Sequence, residues 1–132
     1  MTEACKQWLR KAQGDYTSMM REYRALIRPN YDSSCFHAQQ CIEKLVKGFL
    51  AEKEVPFPKT HDLRQLFKLT YIFHPEWKVL EDDAAELTEE AVETRYPGED
   101  RTKEDAQHEI QICKKLRKHL LAGIKSKDQL SL

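Results

Sequence analysis

The chain has 132 residues and zero formal net charge, and its four Gly and five Pro are scattered among helix formers, so a single all-α domain able to bury a core without disulfides or metal staples is expected. No apolar run approaches the length needed to cross a bilayer, and the N-terminus lacks the series of a signal peptide, so a cytoplasmic protein with no membrane association is expected. Charge is uneven: residues 1–75 sum to +4, residues 76–109 to −9 and residues 110–132 to +5, which excludes a uniform basic footprint while allowing a basic face built from the first, second and last helices.

Thr2 is placed to cap a first helix running to about Ile27, with Trp8, Leu9, Ala12, Tyr16, Met19, Met20 and Tyr23 on its inner stripe. The Arg28-Pro29-Asn30-Tyr31-Asp32 stretch breaks it, and Asp32 can cap a second helix from about Ser33 to Glu54, antiparallel to the first because the connection is short. Phe36, Gln39/Gln40, Ile42, Leu45/Val46 and Phe49/Leu50 recur at three- and four-residue steps along that helix, making it the strongest helical signal in the chain. Gln40, Glu43, Lys44 and Lys47 run beside this stripe, and periodicity alone reads them as a solvated flank with one Glu43–Lys47 pair.

Val55-Pro56-Phe57-Pro58-Lys59-Thr60 reads as a stiff linker whose Thr60 caps a short third helix from His61 to about Phe73, which His74-Pro75 stops. A fourth helix is expected from about Glu76 to Thr94, with an acidic outer face. After the turn-forming stretch Arg95-Tyr96-Pro97-Gly98-Glu99-Asp100-Arg101, Thr102 and Asp105 open the last helix with a capping box, and Gly123 marks its fraying end. The expected architecture is an up-and-down antiparallel bundle of four long helices plus one short helix over residues 1–124, with a flexible tail at 125–132. Trp8, Phe36, Ile42, Leu45, Phe49, Leu66, Leu87, Ile110 and Leu120 are its expected buried residues. Cys5, Cys35, Cys41 and Cys113 form no Cys-x-x-Cys pair, and the shared helix face of His37 and Cys41 has no second ligand pair, so buried reduced thiols are expected, with no metal and no cofactor.

Phe36-His37-Ala38-Gln39-Gln40 followed by Glu43-Lys44 and Lys47, then Pro58-Lys59-Thr60-His61-Asp62-Leu63, then Thr94-Arg95-Tyr96-Pro97, resembles in order and spacing the signature series of the HEPN domain family (higher eukaryotes and prokaryotes nucleotide-binding). The resemblance implies a small helical bundle that forms a homodimer, binds a nucleotide or RNA, and works with a minimal nucleotidyltransferase as a toxin–antitoxin-type pair. It also implies an alternative: active members are metal-independent ribonucleases carrying an Arg followed four to six residues later by His. Arg101 and His108, with six residues between them, are the match here, without the Asn or Asp that usually follows the Arg. The binding alternative places Lys44, Lys47 and Arg95 against phosphates and Tyr96 against a base, with Arg95, Arg101 and the start of the last helix forming an anion site at one end of the bundle. Arg95 paired with Glu43 or Glu93, and Tyr96 closing the end of the core, is the structural alternative.

Overall fold

The computed structural model describes residues 1–92 and 96–130, apart from the side chains of Val92 and of residues 126–130. Helix α1 (Glu3–Arg24) starts where Thr2 Oγ1 accepts from Cys5 N at 3.1 Å. It stops short of the expected Ile27, because Arg28 takes a positive φ of 51° ahead of Pro29 and the turn uses up the preceding residues. Leu26 and Ile27, inside the expected helix, are 99% and 83% exposed.

Helix α2 (Tyr31–Glu52) is capped by Asn30, whose Oδ1 accepts from Ser33 N at 2.9 Å, instead of by Asp32. Glu52 at its end accepts from Thr2 N at 2.7 Å, which ties the two helices together in antiparallel order. This helix packs against α1 on one side and against the later helices on the others, so it is buried almost all round. That position overturns the solvated flank for Glu43 and Lys47, which are 3% and 8% exposed, while Gln40 and Lys44 are half-buried.

Asp62, not Thr60, caps helix α3 (Leu63–Lys68), its Oδ1 accepting from Arg64 N at 3.0 Å, while Thr60 Oγ1 accepts from Asp62 N one turn earlier in the entry to the helix. α3 ends before the expected Phe73, because Thr70 Oγ1 donates to Phe67 O at 2.6 Å and the chain tightens into turns. Residues Pro75–Leu80 form a 3₁₀ segment with proline at its start, so the expected fourth helix begins only as α4 (Glu81–Val92).

Helix α5 (Lys103–Leu130) opens with the expected capping box: Asp105 N donates to Thr102 Oγ1 at 3.1 Å and Thr102 N donates to Asp105 Oδ2 at 2.9 Å. It continues through Gly123, where the end was expected, because the missing side chain there admits the Trp77 ring. The fold is an all-α bundle of four longer helices and one short one, with no strand among the described residues. Its core holds Ile42, Leu45, Phe49, Leu66, Leu87, Ile110 and Leu120 as expected. Two expected core residues lie elsewhere. Phe36 is 46% exposed because Cys35, Ala38 and Gln39 take the inward positions of its turn, and Trp8 is half-buried, edge-on to Phe57 at 6.3 Å.

Candidate functional site

The polar residues of α2 build two networks, both closed within the chain. In the first, Glu43 accepts from Lys47 Nζ at 2.9 Å, from Gln39 Nε2 at 3.0 Å, and pairs with His61 Nδ1 at 2.9 Å. Gln39 Nε2 also donates to the His61 carbonyl at 3.0 Å, so the stretch ahead of α3 is fastened to the middle of α2. Burial pushes the Glu43 carboxyl up, but the bonds from Lys47, Gln39 and His61 outweigh it and hold the pKa below the usual carboxylate value. In the second network, Asp15 of α1 pairs with Lys44 and with His37 Nδ1, the latter at 2.8 Å. Lys44 and Lys47, expected to face phosphates, are therefore fixed to Asp15 and Glu43, and the Lys47 ammonium lies 5.7 Å from the Trp8 ring.

A second cluster forms where the connector before α5 meets the starts of α2 and α5 and the later part of α4. The Arg101 backbone N–H and Nη1 donate to Asp32 Oδ1 at 3.1 and 3.2 Å, and Nε donates to Glu90 Oε2 at 3.1 Å. Its side chain is 4% exposed, so the guanidinium acts as a staple between the connector, α2 and α4. Two carboxylates already bond that guanidinium through Nε and Nη1, and the capping box takes the Asp105 N–H at the start of α5, so Arg101 is held inside the bundle instead of reaching out as one arm of the expected end-of-bundle anion site. Arg95, the other arm, lies outside the described residues, as does any pairing of it with Glu93. Tyr96 is 68% exposed and so does not close the core.

His108 extends from α5 with 61% of its side chain exposed and pairs through Nε2 with Glu86 Oε2 at 2.9 Å. Glu86 in turn meets the Glu109 carboxyl, and burial followed by that contact pushes the Glu109 pKa well up. Arg101 and His108 thus border one group of carboxylates, Arg101 bonding Glu90 and His108 bonding Glu86, but neither is free of a carboxylate partner.

A third feature joins helices distant in sequence. A groove of about 520 Å³ between α1 and α5 is lined by Tyr16, Lys114, Arg117, Lys118, Leu121 and Lys125, and a hollow of about 360 Å³ continues it past Tyr16 to Arg21 and Arg24. No carboxylate lines either one. Arg117 stacks over the Tyr16 ring at 4.3 Å and bonds the neutral Gln13 Oε1 at 3.1 Å, which leaves its charge unneutralised. The sequence left open a basic face built from the first, second and last helices, without naming these cations. Their signal is the helical spacing of Lys114, Arg117/Lys118, Leu121 and Lys125 together with the excess positive charge after residue 110.

The family model described as HEPN domain matches residues 5–123 of the chain. No curated protein and no solved structure matches it.

Proposed function

We propose that this chain, which belongs to the HEPN domain family, is a non-catalytic binding module that takes a phosphate-bearing nucleotide ligand in the groove between α1 and α5. The observation that carries this reading is the distribution of cations. Lys44, Lys47, Arg101 and His108 are each engaged by a carboxylate of the chain, whereas Arg21, Arg24, Lys114, Arg117 and Lys118 line a continuous carboxylate-free surface around Tyr16. A guanidinium offers a phosphate two parallel donors and the lysines add point charge, while the outer side of the Arg117 guanidinium, stacked on Tyr16, gives a base a flat surface to stack on.

The wider setting comes from the family resemblance: a homodimer working with a minimal nucleotidyltransferase in a two-gene toxin–antitoxin-type system. Leu26 and Ile27 after α1, Ile72 ahead of the 3₁₀ segment and Val79 within it are exposed by 83% or more and give such partners apolar surface to cover. ATP and a short single-stranded RNA, each titrated against the chain at low salt, test the binding. The double change Arg21→Glu and Lys118→Glu is expected to weaken binding at least tenfold while leaving the melting temperature nearly unchanged, since neither side chain has an ion-pair partner among the described residues. Equal binding by the variant and the parent would remove the groove as the site.

The second reading, a metal-independent ribonuclease using Arg101 and His108, comes from the family resemblance; both residues border one group of carboxylates that would have to release them to RNA. In it His108 moves a proton and Arg101 steadies a phosphate. RNA cleavage that persists in EDTA and disappears in His108→Ala is the outcome that would establish it.

A further inference from the structure

Glu86 of α4 and His108 and Glu109 of α5 each bring one ligand-type atom to a common point, the three atoms lying within 4.8 Å of one another. His108 Nε2 and Glu86 Oε2 stand 2.9 Å apart, close to the roughly 3.3 Å edge that bonds of about 2.0–2.1 Å impose on the ligands of a tetrahedral centre. Glu109 separates this group from an ordinary solvated acidic face. It is 4% exposed, its carboxyl lies against that of Glu86, and its Oε2 is buried with no hydrogen-bond partner.

The nearby guanidinium does not answer that oxygen. Arg101 directs Nε to Glu90 and Nη1 to Asp32, and its own Nη2 is likewise buried without a partner, so the unmatched acceptor and the unmatched donor do not meet. Two carboxyls in contact require a proton or a cation between them. An imidazole nitrogen at the third corner makes the donor set one that suits a transition-type divalent ion better than an all-oxygen ion such as Ca²⁺ or Mg²⁺.

We propose that Glu86, His108 and Glu109 form a binding site for a divalent transition-metal ion of the Zn²⁺ class, which clamps the start of α5 to α4. The ion enters from the His108 side, where that ring is 61% exposed, and water completes its coordination there. Its binding takes up the His108 nitrogen that faces Glu86, so the metal-loaded chain has no imidazole free for acid–base work at this point.

The test is calorimetric titration of ZnCl₂ into the full chain after EDTA treatment and desalting, with the melting temperature measured in parallel. One ion per chain and a raised melting temperature are expected. His108→Ala and Glu109→Gln should each weaken Zn²⁺ at least about tenfold, the smallest loss usual even for an outer contact of a bound metal. Glu86→Gln, at a half-exposed position that folding tolerates more readily, should do the same and keeps the test decisive if Glu109→Gln fails to fold. His119→Ala is the control, because His119 lines a separate hollow with His74 and Glu76. Absence of a thermal shift, Zn²⁺ affinity unchanged in both His108→Ala and Glu86→Gln, or affinity lost in His119→Ala instead, would overturn the site.

Discussion

Replacing Glu43 by Ala probes the centre of the bundle. The side chain is 4% exposed and receives three bonds, from Lys47 and His61 at 2.9 Å and from Gln39 at 3.0 Å. The three losses differ in weight. His61 is 73% exposed and turns to water, and Gln39 keeps its bond to the His61 carbonyl, but the Lys47 side chain is 10% exposed and is left as a buried cation without its carboxylate. Breaking a buried pair by removing one partner costs about 3–5 kcal/mol. With two donors recovering, the lower end, about 3 kcal/mol, is expected, which for a chain of this size lowers the melting temperature by roughly 9–15 °C. Urea denaturation of the single variant and of the double variant with Lys47→Met measures it, and the second change is expected to restore at least half of the loss by removing the stranded charge. A loss below about 1 kcal/mol, or no recovery in the double variant, would show that the network does not hold the fold.

The same carboxylate sets a pH dependence: because its folded pKa is held below the usual carboxylate value, its stabilisation is present at neutral pH and is lost as pH falls through the folded value, so the denaturation free energy of Glu43→Ala should vary less than that of the parent as the solution is taken from neutral to acid. Phe49 is fully buried against Phe73, His74 and Trp77, and Phe49→Ala should cost about 3–5 kcal/mol in the same urea assay. Gly123→Ala should lower the melting temperature despite alanine's better helix propensity, because the new Cβ would lie 2.6 Å from two Trp77 ring atoms and that ring is held by stacking on His74 at 4.1 Å. All four cysteines are 1% exposed or less, so a thiol reagent should modify none in the native chain and all of them in urea.

Much of the bundle was legible because its helices carry one-sided apolar patterns and recognisable starts: Thr2 caps α1, and Thr102 with Asp105 opens α5 as their spacing implies. What periodicity could not convey is how many neighbours a helix has. A stripe read along α2 implies one buried face, but this helix is enclosed by α1 and by the later helices, so Gln39, Glu43 and Lys47 became interior residues that satisfy one another and His61. Phe36 misled for the opposite reason: it is apolar at helical spacing, but Cys35, Ala38 and Gln39 take the inward positions of its turn and leave it 46% exposed. Of the site residues, Lys44 and Lys47 were correctly placed on one helix, but their partners Asp15 and Glu43 turned them from ligand contacts into internal ties. The groove around Tyr16 joins residues about a hundred positions apart, and only the packing of α5 beside α1 brings them together.

Whether the chain binds nucleotide ligands without cleaving them is tested most directly by incubating it with labelled single-stranded RNA in EDTA and following both retardation and fragment size on a gel. Non-catalytic binding in the groove predicts RNA that is retarded and intact, with retardation lost in the Arg21→Glu, Lys118→Glu variant. RNA fragments formed by the parent chain and absent with His108→Ala would contradict it.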